Sequence, residues 1–412
     1  MRLPALSFVL VGLASAIPLE VAERTNNHGH SKNLNIQVGN RPEFLIENMD
    51  AGPLKDKLAS CSEGPFKKSS SVIGHRGAPL QFPEHSKQSY MAAARQGAGT
   101  VECDVTFTKD KQLVCRHSQC DLHTTTDILQ YPALAAKCTK PFTPAVNGTG
   151  ATAACCTSDI TLAEFQTLCA KMDGTPNPAA TTVADFLKTP PFRTDLYATC
   201  AKLMTHVDSI KLIDSYGLDF TPEIKTPVVP MPYENWTQNQ YVQAVIDDYK
   251  SLGIHPDRVW AQSFLPADIY YLIKNEPKFG KQAVYLDERV DTVEGYNTAV
   301  ASLPQLAKDG VKIMAPAFFA LTKVDSKGKI VPSEYAIAAK KAGLKIIAWS
   351  FERSGFLNKG GDYYYQYVKA DINNDGDMYT VLDVLFKDVG ILKVFSDWPA
   401  TVTYYANCMG LK

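Results

Sequence analysis

The sequence predicts an α/β chain folded as a TIM-type (β/α)8 barrel, with a disulfide-rich insertion after the second barrel strand. Three observations predict it. From about residue 71 onward, apolar runs of strand length alternate with segments of helical period. About eight such units fall within roughly 330 residues, which suits a closed barrel with insertions. Finally, Glu102, Asp104, His117, Glu223, Gln262, Trp349 and Asp397 all stand at or just after the C-terminal ends of strand candidates. A closed barrel gathers them at one mouth, whereas an open doubly wound sheet, the alternative, spreads them along a line.

Taken in order, the strand candidates are residues 71–74, 100–106, 113–116, 219–224, 258–262, 282–286, 312–315, 345–349 and 392–396. Eight βα units result if 113–116 is the hairpin partner of the strand before it. Helical period marks residues 86–95, 203–216, 239–252, 267–275, 296–308, 333–342 and 380–386. Gly217, Gly253, Gly310, Gly343 and Gly390 follow helix candidates and suit their C-terminal caps. Residues 118–202 break this rhythm and read as the insertion over the barrel mouth. The barrel as a whole is expected over 71–405, preceded by an N-terminal extension at 17–70 that is either loosely ordered or packed on the barrel. Within that extension, His28 and His30 read as part of a solvated tail in preference to a metal site.

Met1-Arg2, an apolar run over about residues 3–13, and Ala14-Ser15-Ala16 match a secretory signal over 1–16, with a retained anchor as the alternative. No later stretch approaches the ~18 apolar residues of a membrane span. A formal charge of −1 gives no bulk basic field, so nucleic acid is not an expected partner and an anionic ligand must be met locally. Ten cysteines suit an oxidising compartment, and Cys120, Cys138, Cys155, Cys156, Cys169 and Cys200 crowd the insertion. They lack the CxxC spacing of a zinc site. The sequons at Asn147 and Asn235 suit a secreted glycoprotein, so the chain is expected outside the cell or at its wall.

Glu102 and Asp104 are two apart on a strand and share a face, while Cys103 faces away. In a barrel that face is the interior mouth, where two like charges repel unless a cation sits between them. Glu223, at the end of another strand, adds a third carboxylate. Three oxygen ligands with open positions suit one divalent cation, Mg²⁺ or Ca²⁺. His75 and His117 are acid/base candidates, because imidazole titrates near neutrality. Arg76 and Lys225 supply positive charge for a phosphate, and Gly77 lets backbone approach the ligand closely. The later aromatics Phe264, Phe318, Trp349 and Trp398 are candidates for an apolar wall, with Trp349 foremost. The run Asp371-Ile372-Asn373-Asn374-Asp375-Gly376-Asp377 has part of a calcium-loop pattern but lacks the glutamate at position twelve, so a solvated turn is favoured.

The ordered set His75-Arg76-Gly77, Pro83-Glu84, Glu102-Cys103-Asp104-Val105, Thr108-Lys109-Asp110, His117, Pro222-Glu223-Ile224-Lys225, Gln262-Ser263-Phe264 and Ser396-Asp397-Trp398-Pro399 resembles the glycerophosphodiester phosphodiesterases. The resemblance covers about residues 72–401. It implies a cation held by Glu102, Asp104 and Glu223, a catalytic pair His75 and His117, and hydrolysis of small-molecule glycerophosphodiesters, the deacylated phospholipids, to an alcohol and sn-glycerol 3-phosphate. It further suggests that the neighbouring 2-hydroxyl attacks, giving a cyclic phosphate that water opens. Two departures stand out. The family's His-Asp is His117-Ser118 here, and its Pro-Glu-Asn-Thr is Pro83-Glu84-His85-Ser86, with His85 a candidate substitute polar contact and Ser86 a candidate helix cap. Two other readings remain: a phospholipase D-type enzyme on sphingolipid or lysolipid, and a catalytically silent wall or binding protein of the same fold.

Overall fold

The computed structural model describes residues 34–197 and 199–411. The expected signal at 1–16, and His28 and His30, lie outside the described residues.

Eight parallel strands close into a barrel, as the sequence predicts. They are β1 (Ser69–Gly74), β2 (Ala98–Phe107), β4 (Asp219–Ile224), β5 (Gln262–Ser263), β6 (Val284–Asp287), β7 (Ile313–Pro316), β8 (Lys345–Phe351) and β9 (Lys393–Ser396). The short strand β3 (Leu113–Cys115) runs antiparallel to β2 at its outer end, and the pairings of β1 with both β9 and β2 complete the ring. Strand period is visible in where side chains go: Ile73, Leu286, Ile347 and Phe395 pack together inside the barrel, while their neighbours Val72, Ala348 and Val394 face the surrounding helices.

The helical layer comprises α3 (Lys87–Arg95), α4 (His206–Ser215), α5 (Gln238–Ser251), α6 (Pro266–Asn275), α7 (Val293–Lys308), α8 (Glu334–Lys341), α9 (Asp377–Val384) and α10 (Pro399–Cys408). Several starts carry their own caps. Ser86 Oγ accepts from the Ser89 N–H at 3.2 Å, and Thr237 with Gln240 forms a reciprocal pair at α5.

Before the barrel, α1 (Arg41–Asn48) and α2 (Pro53–Ala59) lie against the helical layer. The Arg41 guanidinium pairs with Glu352, Tyr404 Oη donates to the Leu58 carbonyl at 2.7 Å, and Cys61 is bonded to Cys408. Between β3 and α4 the chain builds a lobe with a separate apolar core that includes Leu122, Ile128, Ile160, Phe165 and Phe186. Disulfides Cys120–Cys156, Cys138–Cys155 and Cys169–Cys200 cross it. All ten cysteines are paired, which leaves none for zinc. Asn147 and Asn235 are both exposed. Among the described residues, no helix is long and apolar enough to cross a membrane.

Candidate active site

Parallel pairing explains how carboxylates far apart in sequence meet. In β2, Glu102 and Asp104 point into the barrel, and the outward Cys103 is bonded to Cys115 of β3. Strand β4 pairs with β2 so that Glu223 lies level with Asp104 and Thr221 level with Glu102. In-register neighbours on adjacent strands are ~4.8 Å apart, and ligand oxygens of Glu102, Asp104 and Glu223 lie within 4.8 Å of one another.

These three groups are buried together. Burial, then the charges of Asp104 and Glu223, pushes the Glu102 carboxyl well above the usual range. Glu223 is pushed up to about 7, by burial foremost and by Asp104, against the opposing pull of Lys225. Burial also opposes ionisation of Asp104, but His85 and Lys225 outweigh it and hold that carboxyl well below its ordinary value. Among the described residues, Asp104 Oδ1 is buried without a hydrogen-bond partner. An orphaned carboxylate oxygen inside a repelling trio of hard oxygen donors fits a divalent cation, so the cluster can hold one metal ion.

His75 and Arg76 follow β1 directly. The His75 N–H donates to the Ser396 carbonyl at 3.1 Å, and His75 Nδ1 sits 2.5 Å from Asp397 Oδ1. Its Nε2 lies 3.8 Å from Glu102 Oε2. Burial is the main reason that the imidazole is lowered to about 4, with Asp397 acting in the opposite direction. Asp397 stays well below the usual carboxylate range despite burial, because Arg353, His75 and Arg193 all face it.

Arg76 takes a left-handed backbone conformation with φ 53°. Its N–H donates to Glu102 Oε2 at 2.9 Å and its Nη1 to Glu84 Oε2 at 2.8 Å. At φ +98° the missing Cβ of Gly77 would lie 2.3 Å from Ser89 Oγ, so glycine is required where β1 turns against α3. His85 replaces the expected asparagine and makes two contacts, Nε2 to Asp104 Oδ2 at 2.8 Å and Nδ1 to Tyr90 Oη at 2.9 Å.

A cavity of about 610 Å³ opens over this floor. His75, Arg76, Glu102, His117, Glu223, Lys225 and Trp349 all line it, and Asp104 completes the acidic cluster beneath. Lys225 Nζ is 2.6 Å from Glu223 Oε1. His117 follows the β2–β3 hairpin, held by the Arg116 N–H donating to the Asp104 carbonyl at 2.8 Å. Burial, with Arg76 and Lys225 adding to it, lowers the His117 imidazole well below its ordinary value. Trp349 is fixed by donation from Nε1 to the Ala315 carbonyl at 2.7 Å.

Of the four aromatics considered for an apolar wall, Phe264 and Trp349 face the cavity. Phe318 is fully buried and stacks on Phe351, and Trp398 packs against the outer core. Residues 371–377 do not close a calcium loop. Asp377 opens α9 and accepts from the Asn373 N–H at 2.8 Å, while Asp375 accepts from the Leu357 N–H at 2.8 Å.

Sequence reasoning missed three charged residues here. Arg353, which lines the cavity, donates from Nη1 to Asp397 Oδ2 at 2.9 Å, and Arg193 of the lobe donates from Nη2 to the same oxygen at 2.9 Å. Asp173 of the lobe faces both arginines. No motif announced them, since their partners lie far away in the chain.

The chain matches the sequence model of the glycerophosphoryl diester phosphodiesterase family over residues 75–382. An extracellular protein of Arthroderma benhamiae is 52% identical over 246 residues, 58% of this chain and 100% of that one. A glycerophosphodiester phosphodiesterase of Arabidopsis thaliana is 23% identical over 385 residues, 88% of this chain and 94% of that one. Among solved structures, one from Silicibacter pomeroyi described as a glycerophosphoryl diester phosphodiesterase aligns with a TM-score of 0.54 at 19% identity, covering 84% of this chain and 95% of that one. At that identity the likeness is one of fold. With the family match spanning most of the barrel and its acidic cluster, the chain belongs to the glycerophosphoryl diester phosphodiesterase family and is a phosphoric diester hydrolase.

Proposed function

We propose that this protein hydrolyses small glycerophosphodiesters outside the cell, releasing an alcohol and sn-glycerol 3-phosphate, with His75 and His117 as the acid/base pair and Glu102, Asp104 and Glu223 as ligands of one Mg²⁺ or Ca²⁺. The observation that carries this reading is the convergence of both imidazoles and the acidic cluster on one cavity. When bound, the cation supplies charge for the non-bridging phosphate oxygens.

The chain's own residues do the rest. Arg76 and Lys225 face the phosphate from the cavity wall and offset charge that builds on it. With Asp397 ionised, His75 donates its Nδ1 hydrogen to Oδ1, leaving the Nε2 lone pair to take the proton of the attacking hydroxyl. The anionic phosphate, once seated, offsets the Arg76 and Lys225 charges that lower His117, so that His117 can carry the proton that it gives to the leaving alcohol oxygen as the P–O bond breaks. If the attacking group is the substrate's own 2-hydroxyl, water then opens the cyclic diester with the two roles reversed. Trp349 offers an apolar face to the organic part of the substrate. Ten paired cysteines and the extracellular relative support secretion, and the exposed Asn147 and Asn235 are proposed glycan sites.

Substituting His75→Ala or His117→Ala is expected to reduce turnover by about 10²-fold or more, with the circular dichroism spectrum unchanged. Unchanged turnover in both would overturn the assignment. Glycerophosphocholine and lysophosphatidylcholine, offered separately, distinguish the readings. Turnover of the soluble diester supports this one, turnover of the lipid alone a phospholipase D-type enzyme, and turnover of neither a silent member of the fold.

A further inference from the structure

We propose that the disulfide-crossed lobe is part of the catalytic apparatus, and that its Arg193 is a positioning residue that holds Asp397, and through it His75, in register with the cavity. The proposal rests on the reading of His75 given above.

The segment that carries Arg193 has no regular secondary structure, and Pro191, Thr194, Asp195, Leu196 and Tyr197 around it are exposed. Arg193 alone turns inward, with its side chain 3% exposed. A guanidinium is not buried without partners, because desolvating a charge is costly unless it is paired and hydrogen-bonded. Its partners lie on both sides of a boundary. Nη1 donates to Asp173 Oδ1 within the lobe, and Nη2 donates to Asp397 Oδ2 after β9, at 2.9 Å. Arg353, from the segment after β8, mirrors it, with Nη1 2.9 Å from Asp397 Oδ2 and Nη2 3.6 Å from Asp173 Oδ2. Two arginines and two aspartates thus form a ring, half from the lobe and half from the barrel.

The consequence is geometric. Asp397 has two oxygens: Oδ2 is fixed by the two guanidinium groups, so Oδ1 is left in one orientation, 2.5 Å from His75 Nδ1. A carboxylate pinned on one side orients the imidazole on the other, as outer partners orient catalytic histidines generally. The lobe is anchored close by, where Tyr197 stacks on Phe82 at 4.8 Å and the Thr194 N–H reaches the Leu80 carbonyl at 3.4 Å. Loss of Arg193 therefore leaves Asp397 Oδ2 held by Arg353 alone and loosens the carboxylate without removing any group that touches substrate.

The test is a double-mutant cycle on the full chain with glycerophosphocholine. Arg193→Leu is expected to lower kcat by about tenfold or more, with KM within about twofold of the parent. Arg193→Lys, which keeps the charge with a single donor head, is expected to recover part of that loss and covers the case that the leucine variant fails to fold. In the His75→Ala background, adding Arg193→Leu is expected to cost no further kcat, because the residue it acts through is gone. Equal losses in both backgrounds, a kcat within about twofold of the parent, or a defect confined to KM would each overturn the proposal. Failure of the parent reading would look different, since His75→Ala would then leave turnover intact.

Discussion

Inside the barrel, Lys393 stands two residues before Phe395 on the inward face of β9, where an ammonium has little solvent. It is held by donation from Nζ to the Ser70 carbonyl at 2.6 Å and to Thr100 Oγ1 at 3.0 Å, and it lies 4.6 Å from the centroid of the Trp260 ring. Burial lowers its pKa to about 8, with Asp219 opposing. The sign of the linkage follows from that direction. Between about 8 and the unfolded value near 10.4, the unfolded chain holds a proton that the folded chain has released, so this group makes stability rise with pH across that window. From pH 8 to pH 9.5 the parent protein is expected to gain about 1.5 kcal/mol from Lys393. Lys393→Met should lose that gain when urea midpoints are compared at the two values. An identical pH slope in both proteins would show that the ammonium is not desolvated as described.

At the level of elements, the β2–β3 hairpin carries more of the site than any other piece of the fold. It places Glu102 and Asp104 inward, spends Cys103 on a bond to Cys115, and delivers His117 two residues later. Closing a loop of 12 residues is worth about 3 kcal/mol in the chain-entropy account. Replacing both cysteines by alanine is therefore expected to lower stability by about that amount in denaturant titration, and to weaken Mg²⁺ or Ca²⁺ binding in calorimetry. Stability equal to the parent would contradict the bracing role. This hairpin was legible in the sequence because strand period alone sorts Glu102 and Asp104 from Cys103, and because parallel register then brings Glu223 level with them. Strand β5 was displaced in the reading, expected over 258–262 and found at Gln262–Ser263, since the approach to it pairs only through one bridge between Val259 and Phe220. Helix α10 was missed for a physical reason: Pro399 to Ala406 are all buried, so no polar stripe marks the helical period. Arg193, Asp173 and Arg353 were illegible for another. Arg193 and Asp173 meet the barrel only through the way the lobe settles on it, and Arg353 meets Asp397 across two strand ends 44 residues apart, so nothing in local sequence encodes either distance.

Across the whole molecule, function follows from which side of the barrel each part occupies. The helical layer and the N-terminal segment, fastened by Cys61–Cys408 and the Arg41–Glu352 pair, secure the scaffold. The strand ends supply carboxylates and imidazoles, and the lobe reaches in with one arginine. The net charge of −1 is almost neutral, yet Arg76, Lys225 and Arg353 gather at one cavity above the acidic cluster. That local separation of charge suits an anionic diester held over a cation, with no basic field over the rest of the surface. The most direct measurement is release of sn-glycerol 3-phosphate from glycerophosphocholine by protein stripped with chelator and then resupplied with Mg²⁺ or Ca²⁺. Release that is lost on stripping and restored by either cation is the predicted result. Release that is indifferent to stripping, or absent with both cations, would contradict a phosphodiesterase centre built on Glu102, Asp104 and Glu223.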